Sequence, residues 1–155
     1  MITLNLDWMD LEIAFRDTTG TESYIDSNTG EIISVVPEFE DEKELREMIQ
    51  IAGDRYILIS PVNTRFSQTV LEQFVGQMNN GDLGAKLAEE GQETGSYARC
   101  MRILREDKEA LQLYYRFEQN ALWDHISESL ASSGVTPALP PPEPELFEES
   151  AAAAA

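Results

Sequence analysis

The stretch Ser23-Tyr-Ile-Asp-Ser-Asn-Thr-Gly-Glu-Ile-Ile-Ser-Val-Val36 constrains this chain more than any other. Asp26-Ser27-Asn28-Thr29-Gly30 is a turn-forming run. Asp, Ser and Asn side chains hydrogen-bond nearby backbone, and glycine takes positive φ without a Cβ clash. β-Branched and aromatic residues flank the run at Tyr24, Ile25, Ile32, Ile33, Val35 and Val36. That pattern predicts a β-hairpin with a type I turn and a glycine bulge. Arg55-Tyr-Ile-Leu-Ile-Ser-Pro61 is another apolar run of strand length, closed by proline, and is the candidate third strand. The remainder reads as helix, which makes the hairpin the platform for helix packing.

The helices follow from periodicity and caps. Leu6 to Phe15 is a short first helix with Asp7 as cap and Trp8, Leu11, Ala14 and Phe15 on one face. Asp41-Glu-Lys-Glu44 resembles a capping box, with Asp41 as N-cap and Glu44 three residues on. Leu45, Met48, Ile49 and Ala52 then recur at helical spacing before Gly53. Ser67 to Met78 carries the stripe Val70, Leu71, Phe74, Val75 and Met78. A short helix is expected over Asp82 to Glu90, and another over Ser96 to Leu104 with Tyr97, Cys100, Met101 and Leu104 inward. Asp107 opens a long helix to about Ser132, ended by Gly134 and Pro137. The expected fold class is α+β and mostly helical. A β-hairpin plus one further antiparallel strand is packed under five or six helices, in a single domain over residues 1–137. Residues 138–155, Pro- and Glu-rich and ending in five alanines, have the composition of a flexible acidic tail.

Charge sets the functional bounds. The 155 residues hold 29 acids and 11 bases, a net charge of −18. The excess is concentrated in residues 1–54, with 14 acids and 3 bases. Such a field repels phosphate and anionic membranes and favours basic partners, so direct nucleic-acid and membrane binding are not expected. The first residues lack a basic segment followed by an apolar run, and no apolar stretch reaches membrane-spanning length. The expected location is cytoplasmic.

Motifs for chemistry are missing. Asp26 to Pro37 fails as a calcium loop, because Gly30, Glu31 and Pro37 stand where a ligand, glycine and glutamate are needed. One cysteine, Cys100, and one histidine, His125, cannot form a Cys/His zinc site. A Cys100–His125 dyad has no protease signature around it, and Cys100 fits better as a small buried apolar residue. Gly81-Asp-Leu-Gly-Ala-Lys86 lacks the ending of a phosphate-binding loop. No cofactor is implied, and the reading is non-enzymatic.

Several segments, taken in order, carry a resemblance. They are Tyr24-Ile-Asp-Ser-Asn-Thr-Gly-Glu-Ile-Ile33, Arg55 to Pro61, Val70-Leu-Glu-Gln-Phe-Val75 and Gly95-Ser-Tyr-Ala-Arg-Cys-Met-Arg-Ile-Leu104. Tyr114-Tyr-Arg-Phe117 and Ser133-Gly-Val-Thr-Pro137 follow. Over about residues 22–137 the chain resembles a bacterial group, uncharacterised protein family 0158. It departs from that pattern at Tyr114, where a tryptophan is expected, and at Ala98-Arg99-Cys100. The resemblance implies an α+β domain and brings no catalytic residues.

The function reading that follows is an acidic adaptor or regulator binding a protein partner with a basic surface. Its candidate contacts are Asp41, Glu42 and Glu44 in the acidic third, and Arg99, Arg102 and Arg105 along one helix face. Leu146 and Phe147 in the tail are further candidates. The alternative is an acidic nucleic-acid mimic that blocks a DNA- or RNA-binding protein.

Overall fold

The hairpin forms where the turn residues place it. In the computed structural model, which describes residues 1–78 and 96–143, strands β2 (Glu22–Asp26) and β3 (Ile32–Val35) pair antiparallel, with Tyr24 opposite Ile33. The Asp26 carbonyl accepts from Thr29 N–H at 3.2 Å and Gly30 N–H at 2.7 Å. Asp26 N–H donates to the Glu31 carbonyl at 2.8 Å, which closes the loop. Gly30 lies at φ 84°, and a Cβ there would come within 2.6 Å of the Asn5 carbonyl oxygen. Both the backbone conformation and the close approach of the N-terminal segment therefore require glycine. β4 (Tyr56–Leu58) pairs antiparallel with β2, which gives the order β3-β2-β4.

A second pairing goes beyond the sequence expectation. β1 (Ile2–Leu4) and β5 (Val135–Pro137) form a parallel pair in which Ile2 faces Val135 and Leu4 faces Pro137. Ala138 N–H continues it onto the Leu4 carbonyl at 2.8 Å, and the Leu139 carbonyl accepts from Trp8 Nε1 at 3.0 Å. These two bonds fix Ala138 and Leu139 against the first strand and helix.

Five α-helices lie among the described residues: α1 (Trp8–Phe15), α2 (Glu42–Ala52), α3 (Thr64–Gln77), α4 (Ser96–Arg105) and α5 (Lys108–Ser132). Asp7 caps α1 through bonds from Met9 and Asp10 N–H, as expected from its position. Asn63 caps α3, so that helix begins a turn before Ser67. Asp107 accepts from Ala110 N–H at the start of α5. The helix expected over Asp82 to Glu90 lies outside the described residues.

The chain gathers into two compact units. The first comprises residues 1–62 and 123–142. Its core holds Leu11, Phe15, Ile25, Val35, Ile59, Ile126 and Val135, with Trp8 and Trp123 edge-to-face at 5.3 Å. The second comprises, among the described residues, 63–78 and 96–122. Val70, Leu71, Phe74, Cys100, Met101, Leu104, Ala110 and Tyr114 form its core. Burial pushes the Tyr114 hydroxyl well above the ordinary tyrosine range, and its ring meets Phe74 edge-on at 5.3 Å.

Candidate interaction surface

α2 is an exposed helix with no buried residue. Of the apolar stripe expected to be inward, Leu45, Ile49 and Ala52 are half-buried, while Met48 is 38% exposed. Beyond that stripe, Phe39 is 64% exposed and Ile51 86% exposed. Residues 38–54 carry seven acids, Glu38, Glu40, Asp41, Glu42, Glu44, Glu47 and Asp54, against Lys43 and Arg46. The face is therefore apolar and acidic together.

The capping box does not form. Asp41 has φ −90° and ψ 0°, a helical conformation, and makes no capping bond with its side chain. An N-cap carboxylate needs extended backbone to swing over the first turn. Glu42 instead ties the preceding loop to the helix: one oxygen accepts from Glu38 N–H at 2.9 Å and the other from Arg46 Nε at 2.9 Å. The Glu38 amide, and then the Arg46 guanidinium, hold the Glu42 carboxyl below its usual range. Arg46 also reaches Glu22 on β2 at 2.7 Å, which ties α2 to the sheet. Glu42 is thus engaged in holding its own helix, whereas Asp41 and Glu44 present exposed carboxylates.

Asp26 is the one charged residue that is buried among the described residues. Its carboxylate accepts from Arg55 Nε at 3.0 Å, from the Arg55 terminal nitrogen at 2.9 Å and from Asn28 N–H at 2.9 Å. The Arg55 guanidinium, helped by the Asn28 amide, holds this carboxyl down to about 2. The backbone joins in, since Ser27 N–H donates to the Arg55 carbonyl at 2.8 Å. This fork fastens β4 to the hairpin and leaves Arg55 stacked over Tyr56, 5.3 Å from the ring centre.

Among the described residues, the first unit carries a pair of clefts of note. One, of about 240 Å³, is lined by apolar Phe15, Ile25, Ile57, Leu58, Ile59 and Leu130 and by Ser60, Ser129, Ser132 and Ser133. The other, of about 430 Å³, is lined by Asn5, Asp7, Asp10, Thr29, Gly30, Glu31 and Ile32. No group of three or more His, Cys, Asp and Glu among the described residues has metal-binding geometry. The serine-lined cleft has no signature in the sequence, because its walls come from four separated segments.

The remaining candidates are dispersed. Arg99, Arg102 and Arg105 lie exposed along α4 in the second unit, on the side away from Cys100, Met101 and Leu104. Arg102 and Arg105 occupy the last turn of that helix, where positive charge is favoured. Cys100 is fully buried in the apolar core of the second unit. The His125 ring meets Phe15 edge-on at 6.0 Å in the first. Leu146 and Phe147 lie outside the described residues. No helix among the described residues is long and apolar enough to cross a membrane.

These features define a mostly helical α+β protein built on a three-stranded antiparallel sheet and a parallel strand pair. The chain belongs to a family described as Uncharacterised protein family (UPF0158), whose match covers residues 1–142. That match extends beyond the segments 22–137 that carry the resemblance in the sequence. A UPF0158 protein of Pseudomonas aeruginosa is 27% identical over 150 residues, covering 91% of this chain and 95% of the relative. No solved structure matches the chain.

Proposed function

We propose that this protein is a non-enzymatic interaction module whose acidic first unit docks a basic protein surface. The observation that carries the reading is the character of α2. The helix buries none of its residues, exposes Ile51 and Met48 with Phe39 just before it, and surrounds them with seven acids against two bases. Exposed apolar side chains within a single-sign charge field are what an electrostatically steered interface needs. The charge guides encounter, and the apolar contacts supply the affinity. Arg46 supports the reading further, because Glu22 and Glu42 both engage it and blunt its charge.

The test is capture of a partner from nuclease-treated lysate of the source organism, with wild-type bait and bait carrying Asp41→Lys, Glu44→Lys and Glu47→Lys. Glu42 is left intact so that the helix start is preserved. The expected result is a stoichiometric partner with a basic surface, released by moderate salt and lost from the reversed bait. Equal capture by both baits, with the same salt dependence, refutes the reading. A partner displaced from wild-type bait by DNA would transfer the argument to a nucleic-acid mimic.

A further inference from the structure

The strand order β3-β2-β4 leaves β4 at a sheet edge. Its register shows which backbone groups point outward. Ile59 N–H donates to the Ser23 carbonyl at 2.9 Å, and the Arg55 carbonyl accepts from Ser27 N–H at 2.8 Å. In an antiparallel ladder, residues facing the partner strand alternate with residues facing away. Arg55, Ile57 and Ile59 therefore turn their peptide groups to β2, and Tyr56 and Leu58 turn theirs to the open edge. Proteins usually guard such an edge by keeping the strand very short, or with lysine, proline or a bulge. Here the strand is short, Tyr-Ile-Leu, but it carries no charge or proline, and Leu58 is 53% exposed.

Apolar receptors lie on both faces beside this edge. On the face of Ile25 and Ile57 is the cleft of about 240 Å³, lined also by Phe15, Leu58, Ile59, Leu130 and four serines. On the other face Leu58 stands opposite Tyr24, and the Tyr56 hydroxyl is 4.0 Å from the Met48 sulfur of α2. An added strand sends alternate side chains to opposite faces. One set would enter the cleft, and the other would lie over Leu58, Tyr56 and Met48.

We propose that the β4 edge is a strand-addition site for an extended segment of a protein partner, with apolar residues at alternate positions and lysine or arginine among them. The proposal rests on the acidic-docking reading above and specifies its geometry. Charge selects the occupant. The Met48 contact sets α2 against Tyr56 of β4; exposed Glu44 and Glu47 lie within about one turn of Met48 on that helix, and exposed Asp54 lies two residues before Tyr56. The nearby cations Arg46 and Arg55 are each held by carboxylates of this chain. At net −18, a second copy would meet its own charge across the edge, so the complementary partner is basic.

The test pans a random peptide library, of about 12 residues per peptide, against the full chain and against Leu58→Pro. Leu58 N–H takes no part in the β2 ladder, so proline there blocks the edge and keeps the sheet. Leu58→Lys is the second blocking variant, and circular dichroism checks both for native structure. Selected peptides are expected to show alternating apolar positions with interspersed Lys or Arg. They should bind either Leu58 variant roughly tenfold or more weakly, and should protect the Tyr56 and Leu58 amides from hydrogen exchange. Peptides with helical spacing or acidic character, equal binding to the Leu58 variants, or no selection at all would overturn the proposal. A self-associated chain that Leu58→Lys renders monomeric would also overturn it, with a second copy as the true occupant. Glu44→Lys with Glu47→Lys separates the two levels. If binding falls with charge reversal and not with the Leu58 variants, the edge is wrong and acidic docking stands. If it falls with the Leu58 variants and not with charge reversal, the edge stands without the acidic reading.

Discussion

Replacing Asp26 with asparagine tests the reasoning about the sheet most directly. The aspartate side chain is 3% exposed and accepts two guanidinium bonds, at 3.0 and 2.9 Å, besides the Asn28 amide at 2.9 Å. Asparagine keeps the size and one acceptor for Asn28, but it loses the charge and points an NH₂ donor at a donor. Hydrogen bonds to charged groups are worth about 1.5–3 kcal/mol each. Arg55 is 42% exposed and rehydrates on release, which returns much of that loss. The net cost should be about 2 kcal/mol, or roughly 4–8 °C in melting temperature for a chain of this size. The carboxyl is held near 2 against an ordinary 3.8, so the pair contributes fully above pH 3.8 and its contribution disappears as pH falls through about 2. The gap between wild type and Asp26→Asn should therefore be constant at neutral pH and close across that acidic window. Thermal unfolding by circular dichroism, repeated in an Arg55→Met background, completes the assay. There the asparagine substitution should become neutral or stabilising, because an unpaired buried carboxylate is worse than an amide. A neutral-pH shift below about 2 °C, or equal effects in both backgrounds, would refute the fork as the fastening of β4.

Three further outcomes are expected, each read from urea midpoints. Gly30→Ala should cost about 2–4 kcal/mol, since it combines positive φ with a Cβ 2.6 Å from the Asn5 carbonyl oxygen. Gly20→Ala, at φ 87° with open space around it, should cost only about 1 kcal/mol; equal effects would sink the close-approach argument. Trp8→Phe should destabilise by about 1 kcal/mol more than Trp123→Phe. The Trp8 N–H is bonded to the Leu139 carbonyl, whereas Trp123 Nε1 is buried without a hydrogen-bond partner. The reverse order would contradict that assignment. Finally, Glu42→Ala should lower the midpoint more than Asp41→Ala, because Glu42 supplies the acceptor at the start of α2. A larger effect at Asp41 would restore the capping box.

The parts of the fold legible in the sequence are those whose signal is local. Turn residues 26–30, the caps Asp7 and Asp107, and the Val70–Phe74 stripe each act within a few positions, and each appears where expected. The β1–β5 pair was not legible, because three-residue strands show no alternation and their pairing joins residues some 130 positions apart. Asp26 reads as a turn former from its neighbours, yet its buried role depends on Arg55, 29 residues away. Asp41 and Glu44 have the right spacing for a box. Glu38, at φ 69°, and Asp41, in helical conformation, carry the chain into α2 by another route. Of the candidate site, the charge was legible from composition. The edge of β4 was not, since which strand lies outermost is a property of the whole sheet.

The division of the chain into two units has a consequence in time. The first unit needs Trp123 against Trp8 and Val135 against Ile2, although its other residues end at Val62. The intervening stretch of about 60 residues takes roughly 3–12 s to synthesise at ordinary ribosomal rates. During that interval the hairpin, the β4 edge and the acidic helix exist without the residues that complete their core. Strong negative charge concentrated in these first residues opposes association of an unfinished, apolar-edged nascent chain with other acidic copies until the last strand arrives.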